Sequence, residues 1–214
     1  MALPDDPRAA IVETCLRMNA EGLNQGTSGN VSVRAGQGML ITPSGVPYED
    51  MTPAMVVEVD AEGRAAGPLK PSSEWRMHLD IYRARAEAGA VVHVHSTHAT
   101  ALSCLRQGIP AFHYMVAVAG GDRIACADYA TFGTQALSDA MLRALEGRSA
   151  CLLANHGQIA FGETLAKALW RAGEVEVLAR QYAVSRGLGE PAILGPDEMA
   201  RVLALFATYG RQDR

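Results

Sequence analysis

Apolar residues recur at helical spacing in several segments of the chain. After Pro7, such a stripe predicts a helix that ends near Gly22. A second helix follows Ser72 or Ser73, either of which is a suitable residue to cap its first turn. The other predicted helices cover Thr97–Arg106, 132–146, Thr164–Arg186 and Pro196–Tyr209.

Shorter apolar or alternating runs, bounded by Gly, Pro and Asn, predict strands. They cover Asn30–Arg34, Met39–Thr42, Val56–Val59, Ala90–His95, Ala150–Leu153 and Ile159–Phe161, the last two pairing as a hairpin. Some strands are joined by short loops and others by helices, and no repeat or linker divides the chain. We therefore predict one α/β domain, residues 1–214, with a largely antiparallel sheet covered by helices.

The strand Ala90–His95 carries two histidines in a valine-rich run. Alternate side chains share one face of a strand, so His93 and His95 point the same way, about 7 Å apart. Zinc accepts imidazole ligands, and two of them on one face provide half of a metal site. The alternative is an ordinary pair of polar residues at a strand end, each bonded to a backbone carbonyl.

A third histidine, His156, interrupts the predicted hairpin, where Gly157 permits a sharp reversal. Three neutral imidazoles would hold a metal and leave one coordination position open, as a catalytic site requires. A turn histidine without a partner is the alternative. His98 is better explained as a supporting residue than as a ligand, and spacing assigns no role to His78 or His113.

An acidic residue and three polar loops complete the candidate chemistry. Glu74 follows two serines at a helix start, where a carboxylate also commonly complements the helix dipole. The hydroxyls and N–H groups of such a helix start can bind an anion. The loops Gly26–Asn30 and Thr42–Gly45 allow a backbone to approach a ligand, although each alone is more often a turn.

The composition restricts the partners. The chain is 49% hydrophobic, enough for a sizeable core. Its net charge is −4, which does not indicate nucleic acid or a membrane surface as a partner. No apolar run reaches the roughly 20 residues that span a bilayer. The four cysteines form no C-x-x-C pair and the first residues do not resemble a signal peptide, which predicts a cytoplasmic protein with reduced thiols.

Eight segments together resemble the class II aldolase/adducin family: GLNQGTSGNVSVR, MLITPSGVPYE, PSSEWR, VVHVHSTH, HYMVAVAGG, YATFGT, NHG and ATYG. They occur in this order over nearly the whole chain. PSSEWR with a later H-x-H and H-G is specific to this superfamily, and HYMVAVAGG and YATFGT favour its fuculose-phosphate branch. The resemblance implies a three-layer α/β/α fold around a mostly antiparallel sheet, and a cyclic homotetramer with active sites between subunits.

The resemblance also implies roles for individual residues. A Zn²⁺ ion, or another divalent cation, would be bound by His93, His95 and His156, and the acid/base Glu74 would also occupy the resting metal. The implied phosphate contacts are Gly29, Asn30, Ser44, Gly45, Ser72 and Ser73, with Thr27 beside them. The implied aldehyde end consists of Tyr114, Tyr209 and Phe132, with Tyr114 reaching into the neighbouring subunit. Asn155 is a departure, because a histidine is typical there.

The implied reaction is retro-aldol cleavage of a ketose 1-phosphate to dihydroxyacetone phosphate and an aldehyde. The candidate substrates are L-fuculose 1-phosphate, 5-deoxyribulose 1-phosphate and 5-(methylthio)ribulose 1-phosphate. Tyr114 would take the C4 hydroxyl proton and Glu74 would deliver a proton to C3, which requires a raised pKa of the carboxyl. The alternatives are an epimerase, dehydratase or decarboxylase of the same superfamily, or a non-catalytic adducin-like assembly domain.

Overall fold

The computed structural model describes residues 3–206, so Tyr209 lies outside the described residues. The strands are β1 (Asn30–Ala35), β2 (Gly38–Ile41), β3 (Val57–Val59), β4 (Ala65–Ala66), β5 (Ala90–Val94), β6 (Cys126–Ala127), β7 (Ala150–Leu153) and β8 (Gly157–Gly162). They form one eight-stranded sheet in the order β4-β3-β2-β1-β5-β8-β7-β6. Only the β6–β7 pair is parallel, which confirms the predicted, mostly antiparallel sheet.

The helices are α1 (Pro7–Ala20), α2 (Trp75–Ala84), α3 (Thr97–Cys104), α4 (Gln135–Ala144), α5 (Leu165–Leu188) and α6 (Pro196–Phe206). The prediction that Ser72 or Ser73 caps α2 is wrong, because the cap position is Glu74. The Ser72 hydroxyl instead accepts the Glu74 N–H one residue before the helix. No helix within residues 3–206 is long and apolar enough to cross a membrane.

Two apolar cores, one on each face of the sheet, give the protein its three layers. The first core joins the sheet to α1, α3, α5 and α6, and the second joins it to α2 and α4. Strand β5 contributes to both cores, since Val92 and Val94 face α5 whereas Val91 faces α2. Side chains alternate along a strand, so His93 shares the α2 face with Val91. The predicted α/β/α layering is confirmed.

Candidate active site

Three imidazoles converge at the end of β5 and the β7–β8 turn. His93 lies within β5, His95 follows it directly, and His156 lies in the turn. The ring centroids are 4.9 Å apart for His93–His95, 4.9 Å for His93–His156 and 4.8 Å for His95–His156. The turn approaches β5 closely because residue 157 is glycine: a Cβ there would lie 2.6 Å from the Val94 carbonyl oxygen. The structure therefore brings together the three histidines that spacing singled out.

A backbone carbonyl on the side away from the cluster fixes the orientation of the His93 ring. Its Nδ1 lies 2.8 Å from the backbone oxygen of Gln158, so Nδ1–H donates to that carbonyl. The lone pair of Nε2 then points towards the centre of the cluster, the tautomer that a metal-binding histidine needs. His93 is fully buried, so its ring is enclosed by the protein in this orientation.

Glu74 completes a donor set that fits a tetrahedral cation. Its Oε2 lies 3.1 Å from His93 Nε2, its Oε1 lies 3.0 Å from His156 Nε2, and the Nε2 atoms of His93 and His95 are 3.0 Å apart. Zinc–nitrogen bonds of tetrahedral geometry place neighbouring ligand atoms about 3.3 Å apart. Glu74 Oε1 is buried without a hydrogen bond of acceptable geometry. Acceptor atoms this close to one another suit a shared cation.

The electrostatics of the cluster favour an ionised Glu74 carboxylate and a neutral His95 imidazole, whereas the charge of Glu74 outweighs burial and raises the pKa of His93. Burial alone would raise the pKa of Glu74, but the imidazoles of His93 and His156 outweigh it and hold that pKa well below its usual value. The prediction of a raised pKa for Glu74 is therefore wrong. Burial, together with the charges of His93 and His156, lowers the pKa of His95 to about 4. An anionic oxygen and neutral nitrogens are the forms that bind a metal.

Two of the polar loops are held side by side next to Glu74. Pro43 and Pro71 form an isolated antiparallel bridge. The Ser44 N–H donates to the Lys70 carbonyl, and the Ser72 N–H donates to the Thr42 carbonyl. These backbone bonds bring the hydroxyl-bearing segments to one wall of a cavity of about 420 Å³. That volume suits a small ligand such as a sugar phosphate.

Most of the predicted site residues line this cavity. Those that do so are Thr27, Ser44, Gly45, Ser73, Glu74, His95, Phe132 and His156. Ser28, Tyr129 and Ala130 also line it and were not predicted individually, because they lie in loops without a periodic signal; Asn155, noted above beside His156, lines it as well. Five predicted residues are not among the lining residues: Gly29, Asn30, Ser72, His93 and Tyr114.

Tyr114 lies away from the cavity on a short 3₁₀ helix, Tyr114–Ala119. Its ring stacks on His113 at 4.8 Å and is half exposed. The side chain of His98 also points elsewhere, since its Nδ1 lies 2.7 Å from Glu176 Oε1. A role for Tyr114 in this site therefore requires a neighbouring subunit, as the sequence resemblance implies.

A larger cleft of about 590 Å³ lies between α1 and α5. Its lining includes Arg17, Trp170, Arg180 and Glu176. His98, the histidine among its lining residues, is already bonded to Glu176, and the cleft contains no cluster of metal-ligating side chains among the described residues. We therefore assign the active site to the smaller cavity, where the imidazole cluster and the hydroxyl-rich loops meet.

The family model described as Class II Aldolase and Adducin N-terminal domain matches residues 9–183. The chain belongs to the class II aldolase and adducin family. Class II aldolases are metal-dependent lyases, and members act on phosphorylated sugars. The predicted family and enzyme class are confirmed.

Individual members of the family are similar over almost the whole chain. The 5-methylthioribulose-1-phosphate/5-deoxyribulose-1-phosphate aldolase of Rhodospirillum rubrum is 54% identical, covering 95% of this chain and 92% of that protein. The L-fuculose phosphate aldolase of Escherichia coli K12 is 52% identical, covering 94% of each. A solved L-fuculose 1-phosphate aldolase superimposes with a TM-score of 0.92 at 40% identity, covering 97% of this chain and 98% of that one.

Proposed function

We propose that the protein is a zinc-dependent aldolase that cleaves a ketose 1-phosphate into dihydroxyacetone phosphate and an aldehyde. The observation that carries the proposal is the convergence of His93, His95, His156 and Glu74 beside a cavity with a hydroxyl-rich wall. Three imidazole nitrogens favour zinc over magnesium or calcium, which prefer oxygen ligands. The relatives named above support the ketose 1-phosphate class.

The residues of the chain divide the chemistry between them. The bound cation would act as a Lewis acid towards the carbonyl and hydroxyl oxygens of the substrate. His93, His95 and His156 would hold it. Glu74 is ionised in the resting site, so it is placed as the base that removes a proton from C3 during synthesis and, once protonated, as the acid that returns that proton during cleavage. Because C3 becomes the hydroxymethyl carbon of dihydroxyacetone phosphate, the proton transferred by Glu74 belongs to that product.

The phosphate would lie against the hydroxyl-rich wall. Thr27, Ser44, Gly45 and Ser73 line it, and no Lys or Arg is among the described lining residues. Hydroxyls and backbone N–H groups can bind phosphate without a basic side chain. Gly29, Asn30 and Ser72 keep their proposed roles as contacts from just behind this wall. The Asn30 amide oxygen bonds His78 and one Nδ2–H bonds Glu74, so the second Nδ2–H would make the contact.

The aldehyde end would be completed by a neighbouring subunit. Tyr129 and Phe132 line the cavity yet remain 54% and 64% exposed, which leaves an aromatic rim open to a partner. We propose a cyclic homotetramer in which Tyr114 and Tyr209 of one subunit enter the site of the next, with Tyr114 taking the C4 hydroxyl proton. All four cysteines are free thiols, which favours a cytoplasmic location.

The deciding experiment measures release of dihydroxyacetone phosphate by the zinc-loaded protein, coupled to a reductase. We expect release that a chelator abolishes and added zinc restores. The three candidate ketose 1-phosphates are compared by kcat/KM, because identities of 54% and 52% do not distinguish them. No release from any of them with zinc bound would contradict the aldolase and favour an epimerase, dehydratase or decarboxylase.

The role of Glu74 is tested by Glu74→Gln. The amide keeps the shape of the carboxylate but cannot exchange a proton, so we expect zinc to be retained and kcat to fall by about 10²- to 10⁴-fold. Glu174→Gln, an identical change on α5 outside the cavity, is the control and should leave turnover unchanged. Full turnover in Glu74→Gln would contradict the role.

A further inference from the structure

A chain of buried hydrogen bonds runs inward from Glu74. Asn30 Nδ2 donates to Glu74 Oε2 at 3.0 Å. Asn30 Oδ1 lies 2.6 Å from His78 Nε2, and His78 Nδ1 lies 2.7 Å from the Ser32 hydroxyl. The Ser32 hydroxyl lies 2.8 Å from the Tyr82 hydroxyl. Four side chains thus continue from the candidate acid/base into the layer between β1 and α2.

The sequence places these side chains opposite one another. Glu74, His78 and Tyr82 are spaced by four residues, so they form one stripe at the start and along the face of α2. Asn30 and Ser32 alternate along β1 and share one face of that strand. A polar stripe of the helix therefore packs on a polar stripe of the strand, within a mostly apolar core.

The direction of every bond in the chain follows from the ionised carboxylate. Glu74 only accepts, so Asn30 must donate its amide N–H and can offer only its oxygen to His78. His78 therefore carries its proton on Nε2, and its Nδ1 accepts from the Ser32 hydroxyl. Ser32 in turn accepts from Tyr82. Burial lowers the pKa of His78 to about 3, consistent with the neutral ring that this order requires.

The two carboxylate oxygens of Glu74 have different environments. Both oxygens face an imidazole, Oε2 that of His93 and Oε1 that of His156, but only Oε2 also receives the Asn30 amide. Asn30, Ser32, His78 and Tyr82 are all at most 3% exposed, so water does not supply an alternative donor. A buried polar group that loses its hydrogen bond costs desolvation energy. Because every member of this chain depends on its neighbour, the chain holds its end group in place more firmly than an isolated hydrogen bond would.

We propose that Asn30, His78, Ser32 and Tyr82 are positioning residues that hold Glu74 Oε2, so that Oε1 is the atom that exchanges the proton with C3. This inference deepens the proposed function and rests on it. Apolar residues of similar shape would fill the same space, so stability alone does not require these polar groups. What they add is a single orientation of the carboxylate beside the cation site.

The same helix offers a matched structural control. Asp80 accepts hydrogen bonds from Ser138 and Gln135 of α4, at 2.7 and 2.9 Å. Ser138 and Ser32 are both fully buried and both bond a side chain of α2. Only the Ser32 chain leads to Glu74. Ser138→Ala therefore reproduces the loss of a buried serine bond without touching the proposed positioning chain.

The test compares Ser32→Ala, Tyr82→Phe, His78→Leu and His78→Gln with Ser138→Ala. Two rates are measured on zinc-loaded protein: ketose 1-phosphate cleavage, and exchange of the hydroxymethyl proton of dihydroxyacetone phosphate with D₂O. The exchange reports the proton transfer of Glu74 without carbon–carbon cleavage. Zinc content and thermal unfolding are measured alongside.

We expect His78→Leu and Ser32→Ala to lower the exchange rate and kcat together by about 10- to 100-fold, with KM and zinc content unchanged. His78→Gln should recover part of the loss, because its amide restores a donor and an acceptor. Tyr82→Phe removes the last donor only and should have the smallest effect. Ser138→Ala should leave both rates unchanged.

Exchange at the wild-type rate in Ser32→Ala and Tyr82→Phe would overturn the inference, and these two variants suffice if His78→Leu does not fold. The inference would also be overturned if Ser138→Ala lost as much rate as Ser32→Ala, because the loss of stability would then explain both results. Failure of the proposed function is distinguishable, because the wild-type protein itself would neither cleave nor exchange.

Discussion

At the scale of single residues, the candidate metal site lies against a glycine, Gly157, whose lack of a side chain lets two segments approach each other. A Cβ at position 157 would lie 2.6 Å from the Val94 carbonyl oxygen and 3.0 Å from His95 Cδ2. Gly157→Ala must therefore displace either β5 or the His95 ring. Because ligand geometry sets zinc affinity, we expect the affinity to fall by about 10-fold or more. Competition with a chromophoric chelator measures it.

Gly187→Ala is the control for that variant. Gly187 lies within α5, and a Cβ there meets nothing within 4 Å. Alanine also favours helix over glycine, so this change should leave zinc affinity unchanged and raise stability slightly. Equal zinc affinity in the two variants would show that the close approach at Gly157 is not needed by the site.

Residues that act through local periodicity were predictable, and those that act through packing were not. His93 and His95 share a face by strand alternation alone, and the carboxylate of Glu74 was identified at its helix start. His78 received no role, although its spacing from Glu74 and Tyr82 marks one face of a helix. Its meaning depends on β1 packing against α2, which a single sequence does not display.

At the scale of elements, α3 is capped by a distant helix. Glu176 of α5 accepts the N–H groups of His98 and Ala99, both at 2.9 Å, in addition to the His98 ring. The other end of α3 supports the β7–β8 turn, because the Ser103 carbonyl accepts the Asn155 N–H. Through α3, this cap therefore connects α5 to the β7–β8 turn that carries His156.

Removing the charge of that cap should cost stability rather than chemistry. In Glu176→Gln an amide nitrogen must face donors of α3, so we expect the free energy of unfolding to fall by about 1–2 kcal/mol. Glu174→Gln on the same helix should change it by less than about 0.5 kcal/mol. Denaturant titration of both variants measures the difference, and equal values would contradict the capping role.

Helices and strands were predicted correctly where the element was long enough to show a periodic pattern of apolar residues. Strands β1, β2, β3, β5, β7 and β8 and all six helices were predicted, with ends that shift by a few residues. Strands β4 and β6 were missed because two residues carry no alternation. The hairpin of β7 and β8 was recognised from its apolar arms around an Asn-His-Gly turn.

At the scale of the whole molecule, the layers followed from element order and the family resemblance, whereas assembly requires contacts between chains. One sheet joins all eight strands, and a core lies on each face of it. The extent of the domain, residues 1–214, stays a prediction, as do the tetramer and the cytoplasmic location. Those properties depend on surfaces and compartments rather than on the periodicity of one chain.

The exposed position of Tyr114 gives the proposed assembly a sharp test. If Tyr114 serves the site of a neighbour, Glu74→Gln and Tyr114→Phe subunits are each inactive alone but complement each other. In a cyclic oligomer assembled at random from equal amounts of the two variants, a site is intact when its own subunit carries Glu74 and the neighbouring subunit carries Tyr114. This arrangement occurs in about one quarter of sites. Co-expression with two affinity tags yields the mixed protein.

We therefore expect mixed tetramers to recover about one quarter of wild-type kcat, whereas each variant alone stays far below it. Co-expression of Glu74→Gln with His95→Ala is the control, because both residues line the same cavity of one chain and no mixed site can be intact. Recovery with Tyr114→Phe but not with His95→Ala would identify a site built by two subunits. If neither mixture recovers activity, Tyr114 does not act across an interface, and the aromatic rim of Tyr129 and Phe132 must be completed in another way.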